Sequence, residues 1–200
     1  MTTLNDADRA ARDAALRAMV PLVPRMGWSR AAIAAGLAGA GLPAEEAGIL
    51  FPRGPVSAVD AWLDQADREM AAAVGDLTGL RTPGRIRALV EARLRLAAPH
   101  KEALRRAMAL LALPWNAALA VRTGARTANA IWQAAGDRSS DVSWYTRRMS
   151  LAAIYGATLA FWLRDDTEDP GPALAFLERR MAGLARLGRC RKRLSGAAAA

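Results

Sequence analysis

The sequence predicts an all-α protein. Alanine, leucine and arginine dominate it, and all three favour helix. Valine and isoleucine are sparse, and no stretch alternates apolar and polar residues as a half-buried strand does. Hydrophobic residues fill 52% of the 200 positions and charged ones 24%, which is enough apolar material for one packed domain.

The elements follow in order. Asp6 to about Val23 reads as a first helix, with Leu16, Met19, Val20 and Val23 on one face and Pro21 and Pro24 weakening its end. Trp28–Ala40 is a second helix, with Ser29 or Gly27 near its start, followed by a turn at Gly39 and Gly41. Pro43–Leu50 is a short third helix, with proline in the first turn that tolerates it. After the turn Phe51-Pro52-Arg53-Gly54, a fourth helix runs from Pro55 to about Val74 and presents Val56, Val59, Trp62, Leu63 and Met70.

Thr82-Pro83 opens the next helix, with Thr82 as the expected cap, and Pro99 ends it near Ala98. A helix from Lys101 to Val121 is expected to kink at Pro114. Arg126–Ala135 follows, closed by Gly136. Ser140 or Asp141 can cap a long helix that reaches Arg164. Asp165–Gly171 is an acidic loop, and Pro172 to about Leu187 is the last helix. The chain divides into a helix-turn-helix-like head (1–78), a helical body (79–187) and a basic, alanine-rich tail (188–200).

The charge is uneven. The net +9 is composed of −3 in residues 1–80, +6 in 81–106, zero in 107–177 and +6 in 178–200. The short helix–turn–helix from Trp28 to Leu50 has the outline of a DNA reader. Its second helix, PAEEAGIL, offers two glutamates and no cation, in a head of the wrong sign for phosphate, so nucleic acid is not an expected partner. GAGLPA (Gly39–Ala44) fits a dinucleotide fingerprint but lacks the preceding strand, and reads as a turn.

His100 is the only histidine and Cys190 the only cysteine, so no di-iron or zinc site can be assembled within the chain; a nucleophilic triad would have to use His100, beside Pro99 with no supporting motif, and His100 reads as a solvated linker histidine. No catalytic residue, metal or cofactor is expected, and the protein reads as a non-enzyme. The first residues, MTTLNDADRAARD, are too acidic for a signal peptide or a mitochondrial presequence. A single cysteine suits a reducing cytoplasm.

The uncharged run Met149–Leu163 is shorter than the ~20 residues a membrane span needs. Its circumference is apolar nearly all round, so it is expected to lie centrally in the fold. Trp144, Arg148, Leu151, Tyr155, Leu159 and Trp162 share one side. The small residues Ala152, Ala153, Gly156, Ala157 and Ala160 either allow close packing or leave room for a guest. The run is thus either ordinary core or one wall of an apolar cavity shared with Leu110, Leu111, Leu113, Trp115 and Leu119. Trp144-Tyr145, beside Arg147-Arg148, reads equally as an interface anchor or as a staple of the helix end.

Leu50–Gly54 (LFPRG) with Val59-Asp60, then GDRSSDVSWYTRR (Gly136–Arg148), LAAIY (Leu151–Tyr155) and FLERRM (Phe176–Met181), resemble the accessory lipid-binding proteins of ubiquinone (coenzyme Q) biosynthesis. The resemblance runs from about Asp13 to Met181. It implies the fold of TetR-type repressors, without DNA binding, and a homodimer. It implies an isoprenoid lipid or quinone in the body, presented to a membrane-associated di-iron demethoxyubiquinone hydroxylase. Carried over by motif position, Asp137, Ser140, Asp141, Trp144, Tyr145 and Arg148 form the patch facing that hydroxylase.

The expected lipid wall is Leu111, Trp115, Leu119, Met149, Leu151, Tyr155, Leu159 and Trp162. Where the family ends in an amphipathic membrane-binding helix, this chain has GRCRKRLSGAAAA. Arg186, Arg189, Arg191, Lys192 and Arg193 are then either a solvated basic tail or a contact with an anionic membrane surface. The expected place of work is the cytoplasmic face of a bacterial inner membrane. Two alternatives stand beside this one: a TetR-type ligand-responsive regulator, and a structural adaptor whose core is solid between Ala107–Val121 and Met149–Leu163.

Overall fold

The computed structural model describes residues 5–137, 142–167 and 169–197, with side chains over 5–137, 144–167 and 169–186. The described residues contain α-helices and short 3-10 turns and no strand, as expected. Helix α1 (Asp6–Met19) starts where the Asn5 side chain accepts from Asp8 N at 2.8 Å. It ends earlier than the apolar pattern implied. Pro21 and Pro24 each begin a new turn, giving a 3-10 segment (Val20–Leu22) and then α2 (Val23–Met26). Ser29 accepts from Ala32 N at 3.1 Å and starts α3 (Arg30–Gly39). A Cβ at Gly36 would stand 2.6 Å from Met19 Cβ, so glycine is what lets α3 lie against α1. GAGLPA is a turn between helices, with Gly41 at φ +69°. A 3-10 turn (Ala44–Glu46) leads into α4 (Ala47–Leu50), and α5 follows (Pro55–Ala73).

Helix α6 (Thr82–Ala97) begins one residue earlier than expected, so Thr82 is its first helical residue and not its cap. Arg85 turns back there, donating through Nε to Leu80 O at 2.8 Å and through a terminal nitrogen to Ala135 O at 3.1 Å. The kinked helix expected over Lys101–Val121 is two helices. With no N–H on Pro114 and Leu113 extended at ψ 136°, α7 (Lys101–Leu111) stops outright. Asn116 Nδ2 then donates to Leu110 O at 2.8 Å, adding a side-chain cap to the last turn.

Helix α8 (Ala117–Ala134) runs unbroken through the gap expected at residues 122–125. Arg122 and Arg126, paired with Asp60 of α5 at 2.9 and 2.7 Å, hold that stretch in place. The helix closes as foreseen, with Gly136 at φ +86° and Asp137 N donating back to Trp132 O at 3.0 Å.

Helix α9 (Val142–Arg164) follows; its expected caps, Ser140 and Asp141, lie outside the described residues. Helix α10 (Gly171–Ala197) runs past Leu187, so the proposed boundary at 187/188 falls inside a helix. Its start is fixed by Asp169 Oδ1, which accepts from Gly171 N at 2.9 Å.

Helix α5 belongs to head and body alike. It packs on α1 and α3 on one side and on α6 and α8 on the other, and a single apolar core runs from Ala15 to Leu177. The run Met149–Leu163 is not enclosed all round. One face of α9 (Leu151, Tyr155, Thr158, Leu159, Trp162) is buried, whereas Ala153, Gly156, Ala157 and Ala160 are exposed and Met149 is 58% exposed. Small side chains leave the outer face of α9 with little surface to bury, so it tolerates water.

Candidate functional site

Helices α8 and α9 pack together, but α7 does not close on them. Between them lies a cavity of about 530 Å³, with α5 and α6 behind it. That is within the ~300–1,000 Å³ of small-molecule sites. The solid core of the adaptor alternative is therefore not what this fold builds. The opening follows from residue size: Ala120, Gly124, Ala152, Ala153 and Gly156 line it where leucines would have filled it. Met108, Leu111 and Leu159 complete the apolar wall, and Val121 and Met149, 67% and 58% exposed, flank the mouth.

Of the expected lipid wall, Leu111, Met149, Tyr155 and Leu159 line this cavity. Trp115, Leu119, Leu151 and Trp162 do not. Trp115 sits in the 3-10 turn after Leu113 and is 77% exposed, because the helix break at Pro114 turns it outward. Leu119 and Leu151 are buried in the core instead. Trp162 is 1% exposed at the far end of α9, with the Lys101 ammonium 4.4 Å from its ring centroid.

Sequence reasoning found Tyr155 but missed the rest of the cavity's polar side. Arg93 of α6, Thr123 and Thr127 of α8, and Tyr155 of α9 all reach it. Arg93 is 5% exposed, as is Asp67, and the two meet at 2.6 Å. Arg93 Nε donates to the Tyr155 hydroxyl at 2.7 Å. Asp67 Oδ2 accepts from Thr127 Oγ1 at 3.2 Å and from Arg126 Nε at 3.4 Å. Burial pushes the Asp67 carboxyl above its ordinary value, with Arg93, Thr127 and Arg126 pulling it part of the way back. Burial also raises the Tyr155 phenol, so it stays protonated at neutral pH. The one legible signal was Thr123 and Thr127, four apart in an otherwise apolar helix face.

A second region lies at the start of α9. Trp144 and Tyr145 make an edge-on pair with centroids 4.8 Å apart. The Arg148 guanidinium lies 4.0 Å from the Trp144 ring centroid, pairs with Asp137 at 3.2 Å and donates to Asn129 Oδ1 at 2.8 Å. Arg148 is 7% exposed and Tyr145 71%. Asp137 and Arg148 thus brace Trp144 against the end of α8, while Tyr145 is presented to solvent. Ser140 and Asp141 of the expected patch lie outside the described residues. Arg186 is exposed on α10; Arg189, Arg191, Lys192 and Arg193 follow along the same helix.

No helix among the described residues is long and apolar enough to cross a membrane. In the head, α4 is a single turn, preceded by Glu45 and Glu46 in the 3-10 turn.

Comparison with known proteins adds to this geometry. Residues 117–188, from α8 into α10, match the COQ9 family model. The chain is 34% identical over 182 residues to ubiquinone biosynthesis protein COQ9, mitochondrial, of Xenopus tropicalis, covering 86% of this chain and 57% of that one. The human protein of the same name is 30% identical over 187 residues, covering 90% and 59% respectively. The Drosophila melanogaster protein is 32% identical, covering 88% and 57%. The chain thus spans less than two thirds of the length of these relatives. Among solved structures, a TetR transcriptional regulator from Nitrosomonas europaea superposes with a TM-score of 0.68 at 27% identity, covering 87% of this chain and 97% of that one.

Proposed function

The chain belongs to the COQ9 family and has a TetR-like fold, and from that premise we propose that it is a non-catalytic lipid-binding accessory protein of ubiquinone biosynthesis. It binds isoprenoid quinone intermediates and presents them to the di-iron demethoxyubiquinone hydroxylase. The observation that carries this reading is the open apolar cavity between α7, α8 and α9. Each methylene sheltered there from water contributes about 0.8 kcal/mol, so a few isoprene units suffice for micromolar affinity.

On this reading Trp144 and Tyr145 dock the hydroxylase. An exposed tyrosine packed edge-on against a tryptophan that an arginine braces is the kind of anchor that dominates interfaces. Arg186, Arg189, Arg191, Lys192 and Arg193 attract an anionic membrane surface at about 1 kcal/mol each, a reversible and salt-sensitive contact. The chain works as a peripheral protein, at the cytoplasmic face of a bacterial inner membrane, and as a homodimer by analogy of fold. The TetR-type regulator is the second reading, favoured by the structural match. Against it stand a one-turn second helix with glutamates before it and a head of net charge −3.

Lipid extraction and mass spectrometry of the gently purified protein test the proposal. A copurifying isoprenoid or quinone is expected. A lipid-free protein that also refuses added quinone removes the reading. A gel shift at low salt decides the regulator alternative.

A further inference from the structure

The cavity is apolar along its walls, and in its one polar corner stands a donor with nothing to donate to. Tyr155 is 7% exposed and lines the cavity. Its oxygen accepts from Arg93 Nε at 2.7 Å, and no hydrogen bond from its own proton is made to any of the described residues. A buried hydroxyl that accepts without donating is costly, so an acceptor from outside the chain is favoured there. The corner is also stiff. Arg93 is held by Asp67 at 2.6 Å, and Asp67 by Thr127 and Arg126, so Tyr155 rests against a fixed group.

Charge narrows the ligand. The guanidinium is already matched by the Asp67 carboxylate, so the corner carries no spare positive charge. An anionic head, such as a fatty-acid carboxylate, would meet Asp67 without a cation of its own. A neutral acceptor oxygen meets no such repulsion. The guanidinium at the phenol oxygen also polarises the O–H bond and makes it a stronger donor.

We infer that the Tyr155 hydroxyl is the hydrogen-bond donor to a carbonyl or ether oxygen on the ring of a bound lipid. The cavity then selects a neutral, oxygen-bearing ring over bare hydrocarbon and over a fatty acid. The ring lies in the Arg93–Tyr155 corner, and the chain attached to it leaves past Leu159 toward Met149 and Val121 at the mouth. This rests on the lipid-binding reading above and adds the group that tells one lipid from another.

Calorimetric titration of the full chain with three matched probes tests it: 2-decyl-1,4-benzoquinone, decylbenzene and decanoate. The wild type should bind the quinone about ten-fold tighter than either of the others, the effect of one good hydrogen bond. Tyr155→Phe should lose about that ten-fold for the quinone and hold its decylbenzene affinity. Should Tyr155→Phe fail to fold, the wild-type ranking alone decides, because without a donor the more hydrophobic decylbenzene binds best. A wild type that prefers decylbenzene, or a Tyr155→Phe variant that keeps its quinone preference, overturns the donor and leaves lipid binding standing. A wild type that takes none of the three overturns both.

Discussion

Asp67 and Arg93 meet at 2.6 Å where α5 crosses α6, each 5% exposed. The pair lies behind the cavity and inside the core that the head and body share. Neither charge has water to fall back on: removing Asp67 strands Arg93, and removing Arg93 leaves the buried Asp67 with only Arg126 at 3.4 Å and Thr127 at 3.2 Å.

Arg93→Met should therefore cost about 3–5 kcal/mol at neutral pH, measured by urea denaturation. The deficit should also depend on pH. Burial already holds the Asp67 carboxyl above its ordinary value, and Arg93 is the largest force lowering it, so the variant raises it further. An acid with a raised folded-state pKa contributes stability that is complete below its unfolded value, near 4, and is lost as pH rises through the folded value. The Arg93→Met deficit should be smallest near pH 4 and grow toward pH 7. A deficit constant across that range would mean that Asp67 is not the stranded group.

Gly36→Ala should destabilise the head. Alanine gains up to about 1 kcal/mol of helix propensity over glycine. Its Cβ would, however, lie 2.6 Å from Met19 Cβ and 2.8 Å from Ala15 O, and overpacking costs about 1–3 kcal/mol. A lower denaturation midpoint with an unchanged slope is expected. A higher midpoint would show that α1 and α3 part at no cost.

Gly156→Phe should do the reverse. A Cβ there meets nothing within 4 Å, and Gly156 lines the cavity. The phenyl group would fill the hollow while the helix loses a glycine, so stability should hold or rise by up to about 1 kcal/mol. Uptake of a decyl-chain quinone should fall at least about ten-fold, roughly the loss of two buried methylenes. Unchanged uptake would place the lipid elsewhere.

The turn between α9 and α10 depends on Lys101. Its ammonium donates to Asp165 O and Thr167 O, both at 2.6 Å, and is 4.4 Å from the Trp162 ring centroid. Lys101→Met should lose about 1.5–3 kcal/mol, the range of hydrogen bonds to charged groups. Amide exchange around Asp165–Thr167 should quicken while the head is unaffected.

Much of this fold was legible in the sequence because prolines, glycines and capping residues mark helix ends locally. Pro55 and Gly136 act as their positions imply. What could not be read depends on which polar side chains find partners once the helices are packed. Whether Pro114 kinks or separates two helices is decided by the Asn116 side chain and its carbonyl partner. Helix α8 continues past Gly124 because Asp60, more than sixty residues away, holds Arg122 and Arg126. The cavity wall was half legible. Small residues on α9 left open either close packing or room, and Trp115 is turned outward by the helix break at Pro114. Arg93 was invisible as a site residue, since an arginine in a basic segment reads as surface until the fold buries it.

Helix α7 has one further part to play. At its first turn the Trp28 indole, which also sits 5.4 Å from Trp62, donates to Ala103 O at 3.0 Å; at its last turns Met108 and Leu111 face the cavity. It is a connecting rod, bolted to the head at one end and lining the cavity at the other. On the lipid-binding proposal, a guest that displaced α7 would pull on Trp28, and indole fluorescence would then gauge whether the cavity is occupied.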